Sequence, residues 1–232
     1  MHATSCVRRR AVLTGSVMLA LLPSLGRAAT APAQSPAVPA SVRALDAAAM
    51  DLFDAAEAGK WDDAERDLRQ VRSIAAGVSA LKPAYLAAGG GIGEFIEVVN
   101  NLSADAIEAG VAVSAKDPRW LVSCADRIVS RAGELAQPFD ARAGAVVPRI
   151  DTLLFLARRM RRALVWRDQD GLINAHDGFT RLWSSLRGEL PGKQAAGADA
   201  VQRALAEVGK APTRDELKRL YKATQALGTG SA

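Results

Sequence analysis

The stretch from Val147 to Pro191, VPRIDTLLFLARRMRRALVWRDQDGLINAHDGFTRLWSSLRGELP, decides the reading of this chain. Ile150, Leu153, Leu154, Ala157, Met160 and Leu164 recur at steps of three and four, which is the spacing of one helix face. Arg167 to Gly171 is a short polar turn. Leu172, His176, Phe179, Trp183 and Leu186 then mark the seam of a second helix. A connection this short returns the second helix antiparallel to the first.

The rest of the chain follows the same pattern. Val42, Leu45, Ala49, Leu52 and Phe53 stripe a helix from about Ser41 to Ala58, with Asp46, Asp54 and Glu57 off the stripe. After Gly59-Lys60, a second helix carries Trp61, Ala64, Leu68, Val71, Ala75 and Val78, and Pro83 is expected to end it. Ala87 to Gly93, AAGGGIG, lacks the Lys-Ser/Thr ending of a phosphate loop and reads as a connection between helices. Helical spacing resumes with Phe95 and Ile96, Asn100-Asn101 is expected to interrupt it, and Ser103 reads as the N-cap of a further helix through Ile107 and Val111. Asp117-Pro118 starts another helix, striped by Leu121, Cys124, Ala125, Ile128, Ala132 and Leu135, with Pro138 and Gly144 marking a loop. Ala198 to Val208 is a weaker helix, and Thr213 to Glu216 form a capping box for a last one through Tyr221. Aromatic residues make up only 5% and alternating β-branched runs are missing, so an all-α antiparallel helical bundle is expected over residues 41–227. Residues 228–232 are expected to fray.

Segments 38–115 and 147–227 resemble each other at a spacing of about 108 residues. Ala64, Leu68, Val71, Ala75 and Val78 match Leu172, His176, Phe179, Trp183 and Leu186. Val38-Pro39 matches Val147-Pro148, Pro83 matches Pro191, and Ser103 matches the cap at Thr213. The bundle is therefore read as two similar helical units sharing one core, with the helix from Asp117 as a bridge. The turn Ala58-Gly59-Lys60-Trp61-Asp62-Asp63-Ala64 resembles the turn of tetratricopeptide repeats. The internal spacing is about three times that family's, so the match is read as an independent helical hairpin.

Residues 1–31 have the pattern of a cleaved bacterial signal peptide: Arg8, Arg9 and Arg10, an apolar run from Ala11 to Leu25, then small residues. Cleavage is expected after Ala28, or after Ala33 as the second choice. The segment Arg9-Arg10-Ala11-Val12-Leu13 resembles a twin-arginine export signal, without the usual Ser or Thr before the pair; an ordinary secretory signal is the alternative. Residues 32–40 read as a flexible lead-in. The resemblance implies a periplasmic or secreted bacterial protein. The apolar run is too short to span a bilayer and no second one follows, so no transmembrane span is expected after cleavage. The 30 basic and 25 acidic residues lose four arginines from the basic side with the signal, so the remainder is near neutral and no nucleic-acid partner is expected.

Candidate chemistry rests on few residues. His176 is the only histidine outside the signal; placed on a seam, it reads first as a core histidine and second as a metal or non-covalent haem ligand, with Met50 or Met160 as a second axial ligand. A zinc site would have to draw on His176, Cys124, Asp151 and Asp177. Cys124 lies on an apolar stripe and reads as a small buried side chain. Asp168-Gln169-Asp170-Gly171 matches the start of a calcium loop, but the later acidic ligand is missing and a turn is the better reading. Arg158, Arg159, Arg161 and Arg162 read as a solvated face neighbouring the acidic first helix, or else as a site for an anionic partner. No catalytic motif is present. The sequence thus implies a non-catalytic binding or interaction role, with a metal- or haem-holding bundle as the alternative.

Overall fold

The computed structural model describes residues 37–140, 146–190 and 192–229. The expected signal segment, most of the lead-in, Pro191 and residues 230–232 lie outside the described residues. Every regular element described is helical: α1 Ala40–Ala58, α2 Trp61–Gly77, α3 Lys82–Ala87, α4 Ile92–Ser114, α5 Pro118–Asp140, α6 Val146–Trp166, α7 Gln169–Arg187, α8 Ala195–Lys210 and α9 Arg214–Thr229. Short 3-10 turns at Val78–Leu81 and Gly192–Gln194 precede α3 and α8. The chain is an all-α helical bundle.

Three tight turns set the hairpins. Gly59, Lys116 and Arg167 each take a left-handed conformation, at φ +67°, +50° and +58°. At each, the residue's own backbone N–H and that of the next residue fold back onto the last helical turn: Gly59 N to Ala56 O and Lys60 N to Ala55 O, Lys116 N to Val113 O and Asp117 N to Ala112 O, Arg167 N to Leu164 O and Asp168 N to Ala163 O. These bonds satisfy carbonyls that a helix end leaves open. The following helix starts at once. Asp117 Oδ1 accepts from Arg119 N at 3.0 Å and Trp120 N at 3.1 Å, and Asp168 Oδ1 accepts from Gly171 N at 2.8 Å. The acidic turn before α7 is thus an N-cap. Thr213 caps α9 through Glu216 N at 3.3 Å.

α1, α2, α4 and α5 enclose one hydrophobic cluster, from Val42 to Phe139; α6, α7, α8 and α9 enclose a second, from Ile150 to Leu227. Met50 is partly buried against both. The expected single core is therefore two adjoining cores. α5, expected as a bridge, packs along α1 and α4 as the fourth helix of the first group and also against α6 of the second.

Three boundaries differ from expectation. α4 runs without a break through Asn100-Asn101, and Ser103 lies mid-helix with its hydroxyl donating to Val99 O at 2.9 Å. The local cost of asparagine is a few tenths of a kcal/mol, and the buried series Val98, Leu102, Ala106 and Ala109 overrides it. That register turns Ile107 and Val111 outward. α2 ends at Gly77, and Pro83 sits in the first turn of α3, where a missing N–H breaks nothing. Pro138 lies inside α5 near its end, where buried Leu135 and Phe139 hold the last turn on the core.

Candidate functional site

α6 packs against α5, α7 and α9, so its arginines cannot all reach water. Arg158 and Arg161 are buried, Arg162 is half-buried and Arg159 is exposed. The expected solvated arginine face is thus split, and two of its members point inward. Arg158 Nε donates to Asp126 Oδ1 at 3.1 Å, and Arg162 Nη1 donates to Asp126 Oδ2 at 2.9 Å. Arg161 Nη2 donates to Asp54 Oδ1 and to Glu57 Oε2, both on α1. Its guanidinium lies 4.7 Å from the Phe53 ring centroid and 6.0 Å from that of Tyr221. Lys218 pairs with Asp54, and Arg214 stands 3.9 Å from Glu57. A carboxylate or guanidinium taken out of water costs several kcal/mol, and these charges are sustainable only because each faces an opposite one.

The pairing shows in proton affinities. Burial raises the Asp54 carboxyl, but hydrogen bonds and charge from Lys218 and Arg161 outweigh it and hold Asp54 below the ordinary carboxylate range. Asp46 goes the other way: burial raises it, and nearby Arg158 only tempers the rise. Arg158 and Arg161 are internal ion-pair partners, which removes them from any free anion surface.

Arg159 and Arg162 remain open. They line a cleft of about 260 Å³ with Ser123, Trp166, Asp168 and Gly171, between α5 and the α6–α7 turn. Arg159 has no carboxylate partner among the described residues, and Arg162 has only the shared Asp126. Trp166 is 47% exposed and anchored by its indole N–H on Arg119 O at 3.2 Å. The cleft presents two guanidinium groups beside an aromatic ring.

His176 does not sit in the core. Ala175, Leu172 and Phe179 take the inner side of α7, and the imidazole is 31% exposed with Nδ1 3.7 Å from Asp177 Oδ1. Its seam position reads as internal because its match in the first unit is the apolar Leu68, and Leu68 itself is buried. Among the described residues no three His, Cys, Asp or Glu side chains converge as a metal site. Met160 is buried in the second core, and Asp151 is exposed. His176→Leu is expected to shift stability by no more than about 0.5 kcal/mol, read by thermal unfolding. A loss of several kcal/mol would show that the imidazole carries a structural or ligand bond. Cys124 is fully buried, and burial pushes its thiol up to about 11.

One surface was not legible at all. Ile92, Ile96, Ile107 and Val111, each about half exposed or more, line the outer side of α4. The assumed break at Asn100-Asn101 divided this stripe between two elements. Among the described residues no helix is long and apolar enough to cross a membrane. Comparison with protein-family models, with curated proteins and with solved structures finds no match to this chain.

Proposed function

We propose that this chain is an exported, non-catalytic binding protein, and that the cleft of Arg159, Arg162 and Trp166 takes a small organic anion with an apolar body. The observation that carries the reading is Arg159, an exposed guanidinium without a carboxylate partner among the described residues, set in a concave surface beside an anchored indole. A carboxylate gains charge-assisted hydrogen bonds from the guanidinium groups while its apolar part lies against the ring.

The test is a calorimetric titration of the purified protein with succinate, citrate and benzoate, followed in parallel by tryptophan fluorescence. Arg159→Ala is expected to weaken binding by about tenfold or more, the usual loss for a hydrogen bond to a charged group. Identical titrations of the wild type and the variant, or no response to any of the three, would remove the cleft from consideration.

Export is supported by the arginine-led apolar N-terminal pattern. N-terminal sequencing of the protein from a periplasmic fraction is expected to begin between Ala29 and Gln34. A sequence beginning at Met1 would sink the export reading.

A further inference from the structure

The ion pairs that join residues 37–140 to residues 146–229 are one-sided. Among the ion pairs of the described residues, every carboxylate across this boundary comes from the first segment: Asp54, Glu57 and Asp126. Every cation comes from the second: Arg158, Arg161, Arg162, Arg214 and Lys218. Each segment also encloses its own hydrophobic cluster, and among the described residues apolar contact across the boundary is confined to Met50, packed partly against both clusters, and Val165 of α6, packed against the first. Across the boundary α5 packs on α6, while α1 meets α6 and α9 through charged side chains. A continuous apolar core would couple the two segments into one cooperative unit. Two cores meeting at a charged layer have the composition of a transient interface instead, more polar than a permanent one.

We infer that residues 37–140 and 146–229 are two self-supporting helical bundles held by a reversible electrostatic latch. The acidic face of the first closes on the basic face of the second, and the layer opens without either bundle unfolding. In the open form Arg158, Arg161, Arg214 and Lys218 face solvent as a cationic surface. The inference rests on the side chains at the boundary and is independent of the cleft's ligand. Glu57 is the control point, because it is buried, it bonds Arg161, and Arg214 stands on its other oxygen.

The experiment uses the full chain with spin labels at two exposed positions, one in each bundle, introduced as Ser79→Cys and Ser184→Cys. Cys124 is fully buried, so labelling is directed to the introduced thiols. Pulsed electron–electron distance measurement is expected to give one short distance in the otherwise wild-type protein. Glu57→Lys is expected to add a second, longer population while far-UV circular dichroism keeps the full helical signal. Glu57→Asp, which keeps a carboxylate between Arg161 and Arg214, is expected to keep the single short distance. A short distance unchanged by Glu57→Lys would overturn the latch. Loss of helical signal in step with the longer distance would overturn it equally, because the bundles would then not be self-supporting.

Discussion

Arg161→Ala is expected to lower the free energy of unfolding by about 3–5 kcal/mol, the cost of breaking a buried ion pair by removing one partner. Arg161 has no exposed surface, and Glu57 opposite it is 5% exposed. Without the guanidinium, Glu57 keeps only Arg214, at 3.9 Å, and its charge is left poorly compensated in a largely dry site. The guanidinium also covers the Phe53 ring, so the truncation leaves a void against the first core. Denaturant unfolding of the two proteins measures the loss. A change under about 1 kcal/mol would mean that Glu57 regains water without the bundles unfolding, either as at a surface pair or by opening of the charged layer. Replacing Arg161 and Glu57 together by apolar residues of similar volume is expected to cost much less than the single change, since no orphaned charge remains.

Acid acts on the same layer with two opposite signs. Asp54 titrates below its unfolded value, so its stabilisation is complete above the unfolded pKa of about 3.9 and is lost as pH falls through its folded value. Asp46 titrates above its unfolded value, so its burial penalty is present at neutral pH and is relieved on acidification.

Trp183→Ala is the second large loss expected, about 3–5 kcal/mol for truncating a buried aromatic to alanine. Trp183 is 2% exposed in the second core, and its indole N–H donates to Gln202 Oε1 at 2.9 Å, tying α7 to α8. The variant loses the buried area and leaves a cavity between those helices. Gln202 keeps a bond from Arg187 at 3.3 Å, so the penalty comes from packing rather than from a stranded acceptor. Trp166→Ala, measured beside it, removes an exposed ring with one hydrogen bond and is expected to cost about 1 kcal/mol. Equal losses at Trp183 and Trp166 would contradict the assignment of Trp183 to the core.

The hairpins were legible because their turns are local. Gly59-Lys60, Asp117-Pro118 and Arg167-Asp168 announce a helix end and the next helix start within a few residues, and the structure places a turn at each. The inward side of α1 was legible for the same reason: Leu45, Ala49, Leu52 and Phe53 repeat at helical spacing and are all buried. The charged layer was legible only in part: the acidic first helix reads as a neighbour of the arginines, and Arg161 pairs with Asp54 and Glu57 on it, but nothing in the sequence shows that the layer is buried. An arginine cluster on an amphipathic helix normally faces water, and only the number of helices around α6 makes that impossible. The parts of the layer are distant in sequence: Asp54 and Glu57 on α1 face Arg161, Asp126 on α5 faces Arg158 and Arg162, and nothing local joins them. His176 was misplaced by one position on α7, where Ala175 takes the inner side. Between Leu172 and Phe179 a step of four then three and a step of three then four both fit helical spacing, and the structure takes the one through Ala175. Arg159 could not be told from Arg158 by sequence; a single residue step around α6 separates the cleft from the buried layer.

The two cores also set an order of assembly. All of the first cluster, from Val42 to Phe139, lies ahead of α6 in the chain, so a growing or threading polypeptide can close it before any residue of the second has arrived. During that interval Glu57 and Asp126 are still hydrated, because the guanidinium groups that dry them come later in the chain. Dehydration of those carboxylates is then the closing act of folding, and its rate responds to ionic strength, whereas formation of the first core responds to apolar burial.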